Sequence, residues 1–249
     1  MIANVFRRLR VLLGQLVHPP VLIYQMGKVG SSSLFDTLSA AHRGYILHAH
    51  ARSMLSPKLK MLLAMRRLLR LKIYVICPIR EAISRNVSAY FQNLEDFFDQ
   101  KALDEGVARE EMLKSFLERF NHRSSLDWFE DEFEPLFGVD VYSRPFAKQE
   151  GWATFSRGSY AVLIYRSDLA HDDQLALISD FLGKQGLAWK MANKSTEKSY
   201  GAVYRDFTQH VKLPSEYLDT LTESHYMQHF WASERITEFR EPWQVERTQ

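Results

Sequence analysis

A short apolar run, Val21 to Met26, stops at Gly27-Lys28-Val29-Gly30-Ser31-Ser32-Ser33, and apolar residues resume from Leu34 to Leu38 at helical spacing. The pattern reads as strand, tight loop, helix. A loop in that position gathers backbone N–H groups and the positive end of a helix dipole, which together make an anion site. Lys28 would add a point charge, Gly30 would let the backbone approach a phosphate, and Ser31, Ser32 and Ser33 would donate hydroxyls or cap the helix. The same residues also suit an ordinary Gly-Ser turn with a serine cap. A mononucleotide kinase loop requires G-x-x-x-x-G-K-[ST]. Here Val29 follows Gly27-Lys28 and Leu22 stands five residues before Gly27, so the hydroxyl that would hold magnesium is missing.

The elements that follow point to an α/β domain with a central, mainly parallel β-sheet flanked by helices. Tyr45 to His50 reads as a second short strand, Ser53 to Leu71 as a helix, and Leu71 to Ile79 as a buried strand, giving βαβαβ. Helical spacing returns from Ile83 to Phe98 and from Arg109 to Phe120, before an acidic aromatic stretch, Asp127 to Glu134, that reads as an amphipathic helix. Val139 to Tyr142 and Tyr160 to Tyr165 resemble strands, and Asp172 to Leu182 a helix closed by Gly183.

The chain has 249 residues, 46% of them hydrophobic, which is enough for one substantial core, and no linker interrupts residues 20–249. A single domain is expected there. Residues 1–19 are expected to form a basic amphipathic helix, with Arg7, Arg8 and Arg10 among apolar residues and Pro19-Pro20 ending it. It would pack on the domain or lie peripherally on a membrane or partner surface; no cleavage site or apolar stretch of about 20 residues marks a signal peptide or spanning helix. A net charge of +2 gives no global reason to expect nucleic acid. One cysteine, Cys77, cannot form an internal disulfide, so a cytoplasmic location is expected. Cys77 precedes Pro78 at the end of a buried strand and reads as a small core residue. The segment 51–72 carries seven basic residues and no acidic one; it reads either as a guide for an anionic ligand or as the solvated face of a helix.

A second anchor follows the buried strand in Arg80-Glu81-Ala82-Ile83-Ser84-Arg85-Asn86-Val87-Ser88-Ala89-Tyr90. Arg80 falls where α/β folds place ligands, and Ser88 comes two helical turns later, so both could reach one phosphate. K-V-G-S-S-S-L together with R-E-x-x-x-R-x-x-S-x-Y resembles the two signatures by which the P-loop sulfotransferase superfamily binds 3'-phosphoadenosine 5'-phosphosulfate (PAPS). The resemblance implies a sulfotransferase-like α/β fold, with a helical insertion after the 3'-phosphate-binding helix. It assigns the 5'-phosphosulfate to Lys28, Val29, Gly30, Ser31, Ser32 and Ser33, and the 3'-phosphate to Arg80 and Ser88, where Ala82 replaces a common proline. Later blocks, Gly138 to Tyr142 with Pro145-Phe146, Leu163 to Leu169 and Lys198 to Tyr204, are similar to a bacterial sulfotransferase-like family described as capsular polysaccharide synthesis proteins, which carries an N-K-W-Y-S motif. Ser199 and Gly201 depart from that motif, and Lys194 and Lys198 read either as a cover for the 3'-phosphate, as basic C-terminal loops are in the superfamily, or as part of a solvated loop. The resemblance spans about residues 20 to 210.

Sulfuryl transfer needs in-line geometry, charge stabilisation and a base for the acceptor proton. His48 and His50 lie two apart on an expected strand and hence on one face. They read as a base with its neighbour or as two partly buried structural histidines, and no third ligand at metal spacing accompanies them. Tyr45 to His50 is similar to the H-x-H segment of uronyl 2-O-sulfotransferases, whose second histidine is the base, which points to His50. Lys28 would then take up charge on the leaving phosphate. The expectation is transfer from PAPS to a hydroxylated acceptor, such as a carbohydrate, without metal. The rivals are a P-loop kinase for small molecules or glycans and an inactive nucleotide-binding protein of polysaccharide assembly.

Overall fold

The computed structural model describes residues 18–42, 44–190 and 200–245. The chain divides into two compact units, one of residues 1–79 and 129–192, the other of residues 80–128 and 193–249. The expected N-terminal helix falls outside the described residues except for its last two positions. Lys194 and Lys198 lie outside them altogether.

The first unit is built on a five-stranded sheet: β1 (Val21–Tyr24), β2 (Ile46–Ala49), β3 (Ile73–Ile79), β4 (Trp152–Arg157) and β5 (Tyr160–Arg166). The strand order is β2-β1-β3-β5-β4, with every pairing parallel except β4 with β5. Because β1 has β2 on one side and β3 on the other, the order reverses there, and the crevice beyond the carboxyl end of β1 is where such sheets bind ligands. Helix α1 (Ser31–Ala41) follows β1, and helix α2 (Pro57–Leu68) follows β2. One face of the sheet buries Val21, Ile23, Ile76, Leu163 and Tyr165 against Leu34 and Leu38 of α1. The same cluster includes Ile178, Leu182 and Leu187, the first two from a helix over His171–Leu182. On the other face Tyr24 meets Phe133 and Phe137, and Tyr160 meets Phe137.

The sequence pattern locates β1, β2, β3 and β5, starts α2 too early, reads a turn as a strand and misses β4. Helix α2 starts at Pro57, not Ser53, because the Ser56 hydroxyl accepts from the Leu59 N–H and proline suits a first helical turn. Val139 to Tyr142 is not a strand: Asp140 accepts from the Tyr142 N–H at 2.8 Å and its carbonyl accepts from the Ser143 hydroxyl at 2.7 Å, closing a local turn. The strand in that region is β4, an exposed antiparallel edge whose burial alternates too weakly to show in hydropathy. The acidic aromatic stretch holds a π-helical turn, Phe129–Phe133, with both terminal phenylalanines buried.

The second unit is helical among its described residues. Helix α3 (Ala82–Gln92) has Glu81 as its cap, the side chain accepting from the Ser84 N–H at 3.0 Å. Its aromatic residues Tyr90 and Phe91 join Phe116 of the helix Arg109–Arg119 and Phe207 of the helix Gly201–His210. Phe116 is fully buried, with Phe120, His122 and Tyr217 at ring distances of 5.7, 4.7 and 5.7 Å. Such offset and edge contacts add to the burial of a large apolar area. Phe116→Ala is therefore expected to destabilise the protein by about 3–5 kcal/mol in urea unfolding. A loss below about 1 kcal/mol would mean the cluster closes around the gap without cost.

Candidate functional site

The loop between β1 and α1 has an unusual backbone. Gly27, Lys28 and Gly30 all adopt positive φ, at 82°, 63° and 79°. Glycine takes that conformation freely, whereas a lysine pays for it, and strain of this kind persists where the surrounding structure demands it. At Gly30 an added Cβ would meet nothing within 4 Å, so the backbone there faces open space. Gly30 is also the cap of α1, which has no side-chain cap and no acidic residue in its first turn. The positive end of this 11-residue helix is therefore not neutralised by its own sequence. Ser32 and Gly30 are exposed, Lys28 and Ser33 half-buried, and Val29 buried, so Val29 can offer an anion only its backbone.

The two histidines enter from the neighbouring strand. In the parallel register Ile23 pairs with His48 and Tyr24 with Ala49, and the Gln25 N–H continues the ladder to the Ala49 carbonyl at 3.2 Å. Alternation then puts Gln25, His48 and His50 on one face. The fully buried Gln25 amide is the centre of the cluster. Its Oε1 accepts from the Gly27 N–H, which sets the orientation of the amide. Its Nε2 lies 2.8 Å from Ser31 Oγ, 3.1 Å from His48 Nε2 and 2.7 Å from His50 Nδ1. Ser31 Oγ is also 2.8 Å from His48 Nε2, and His50 Nδ1 is 3.2 Å from the Gln25 carbonyl. The two rings meet edge to face at 5.0 Å, and Phe35 stacks on His48.

Of the residues expected from sequence, the structure brings together Ser31, His48 and His50 beside the loop carrying Lys28, Gly30, Ser32 and Ser33. Gln25 is the residue that sequence reasoning missed. Its signal was a polar side chain inside an apolar run. His48 and His50 are not equivalent. Burial, then the neighbouring His50, hold the His48 imidazole down to about 4, with Asp36 pulling weakly the other way. With Nε2 taken up by Ser31 and Gln25, His48 is a neutral strut at pH 7, whereas His50 meets Gln25 through Nδ1. Among the described residues no three His, Cys, Asp or Glu side chains are grouped to hold a metal ion.

The second unit places Arg80 immediately before the capping Glu81 and Ser88 two turns into α3. The Arg80 carbonyl accepts from the Tyr226 hydroxyl at 2.8 Å, and the Ala82 N–H approaches the Met227 sulfur at 3.3 Å, so the start of α3 is pinned. Arg80 is half-exposed and Ser88 buried. Arg85 is buried, donates to Asn86 and Ser124, and is pushed down to about 10 by desolvation, so it supports the fold. Cys77 is fully buried on β3, and burial pushes its thiol up.

A family model described as "Putative capsular polysaccharide synthesis protein" matches residues 107–232, half of the chain. The matched stretch does not include the loop 27–33, the histidines or residues 80–88. No curated protein and no solved structure matches the chain. Among the described residues no helix is long and apolar enough to cross a membrane.

A depressed histidine pKa makes stability depend on pH with a definite sign. The unfolded His48 binds a proton below about pH 6.5, the folded one only near 4, so its contribution is intact above 6.5 and is lost as pH falls toward 4. His48→Asn is expected to flatten the fall of Tm between these values relative to the unsubstituted protein. Parallel Tm curves for the two would mean that His48 is not held neutral.

Proposed function

The chain belongs to the family of capsular polysaccharide synthesis proteins, and on that premise we propose that it is a sulfotransferase of the P-loop type, moving a sulfuryl group from PAPS to a hydroxyl of a carbohydrate. The observation that carries the reading is the loop 27–30, with three residues at positive φ at the head of an uncapped helix, beside two histidines on the adjoining strand. Backbone N–H groups in such a loop suit a tetrahedral anion, and the lysine in it supplies charge without a metal.

In this reading Lys28 and the N–H groups of Val29 to Ser33 hold the phosphosulfate, and Lys28 bears on the oxygen that bridges sulfur and phosphorus. That oxygen gains charge as its bond to sulfur breaks, and a fixed cation there lowers the barrier. His50 takes the acceptor proton at Nε2 as the acceptor oxygen bonds to sulfur. For Nε2 to hold the lone pair, Nδ1 must carry the proton and donate it to the Gln25 carbonyl. The two hydrogens of the Gln25 amide then go to Ser31 Oγ and His48 Nε2, and its 2.7 Å approach to His50 Nδ1, a contact between two donors in this tautomer, must lengthen when Nδ1 carries the proton. Arg80 and Ser88 keep the 3'-phosphate role implied by the sequence signature.

PAP, the desulfated product, is expected to bind in calorimetry with EDTA present. Arg80→Ala should weaken PAP by about 1.5–3 kcal/mol and leave adenosine 5'-phosphosulfate, which lacks the 3'-phosphate, nearly unchanged. Equal losses would assign Arg80 to the wrong phosphate, and binding of Mg-ATP without PAP would favour a kinase.

His50→Ala is expected to lower kcat about 10²- to 10⁴-fold with PAP affinity and Tm close to those of the unsubstituted enzyme, and to remove the ascending limb of kcat/KM near the histidine pKa. His48→Ala should cost less. Labelled PAPS with a panel of hydroxylated acceptors, read by mass spectrometry, supplies the assay. Near-normal turnover of His50→Ala would remove this residue from the mechanism.

A further inference from the structure

Helix α2 has two apolar faces where one would suffice. Leu59 and Leu63 point inward and are buried. On the opposite side Met61, Met65 and Leu68 follow one another at i, i+4 and i+7, and Leu69 continues past the helix end. Met61 is 69% exposed, Leu68 83% and Leu69 54%, which are large apolar side chains left in water on a single face. Beside them runs a groove of about 430 Å³, floored by Tyr45 and Leu47 at the edge strand β2 and walled by Leu59, Leu62 and Met65. A scattered exposed leucine needs no explanation, but a stripe joined to an apolar groove does.

Charge on this face has one sign. Residues 51–72 include no Asp or Glu. Four of its seven basic groups have intramolecular work: Arg52 pairs with Glu132, Arg66 is buried and donates to the Lys72 carbonyl, Arg67 lies over the Tyr160 ring, and Lys72 over Tyr74. The other three, Lys58, Lys60 and Arg70, make no ion pair among the described residues. At 100° per residue Lys60 and Arg67 border the exposed stripe on one side and Lys58 on the other. An apolar stripe between two rows of cations is how a helix lies in the interface of an anionic bilayer, its apolar side chains among the acyl chains and its cations at the phosphates.

We propose that this face of α2 docks on an anionic phospholipid surface, with an acyl chain entering the groove beside Tyr45 and Leu47. An anionic glycan would account for the cations but not for Met61 and Leu68, which it would leave as wet as before. The N-terminal residues do not suit the same face, since Arg7, Arg8 and Arg10 would repel it. The inference is independent of the sulfotransferase reading.

The test is flotation of the full chain with vesicles of phosphatidylcholine alone or mixed with phosphatidylglycerol. Binding to the mixed vesicles, weakened by salt, is expected. Met61→Asp with Leu68→Asp should reduce it at least about tenfold. Lys58→Gln, Lys60→Gln and Arg70→Gln should reduce it about fivefold for each charge removed. All five side chains are exposed, so Tm should not move; if the aspartates lower it, Met61→Ser with Leu68→Ser and the glutamine variants decide. Failure to bind mixed vesicles overturns the proposal, as does binding that survives the aspartates, since other residues would then carry it. Heparin binding that falls with the glutamines while vesicle binding does not would assign the surface to an anionic polymer instead.

Discussion

Parallel pairing of β1 with β2 is the constraint on which the candidate site depends. Ile23 opposite His48 and Tyr24 opposite Ala49 commit the next pair of inward positions, Gln25 and His50, to one face at the carboxyl edge of the sheet. A slip of one residue would turn both histidines to the opposite face, away from the loop. The register is held by the core beneath, where Val21 and Ile23 pack with Leu34 and Leu38 of the helix that the loop introduces. The same hydrophobic contacts therefore position the loop and the histidines.

Gln25 converts that register into chemistry. A buried amide with unmade hydrogen bonds is costly, so its partners are constrained as tightly as it is. Its oxygen is fixed by Gly27 and its nitrogen by Ser31 and His48, and its backbone carbonyl lies 3.2 Å from His50 Nδ1, which ties loop, helix start and adjoining strand together. The strain at Lys28, φ 63°, belongs to the same arrangement, because the loop must turn from Gln25 to Ser31 within five intervening residues. The network also separates the two histidines, one half-buried and neutral with its Nε2 between Ser31 and Gln25, the other meeting Gln25 through Nδ1.

Family membership and the site come from different parts of the chain. The matched residues 107–232 contain β4, β5 and Phe116 with its neighbours Phe120, His122 and Tyr217, whereas the loop and histidines precede them. The proposal of sulfuryl transfer accordingly rests on the physical character of the loop and the histidine pair, and the family match on other residues.

The sequence by itself determined the four parallel strands, the loop after β1 and the pairing of His48 with His50, because buried strands write continuous apolar runs and a period of two needs no tertiary information. Gly183 as the end of its helix, φ 61°, was legible for the same local reason. Only the tertiary structure decided that β4 is the edge strand, that Asp140 closes a turn where a strand was expected, and that Gln25 joins the histidines. Edge pairing, side-chain turns and buried polar contacts depend on what lies across space, which a one-dimensional apolar pattern does not encode. The outward stripe of α2 shows the same division: its residues are visible in the sequence, but which of two apolar faces stays in water is settled by which one the sheet covers.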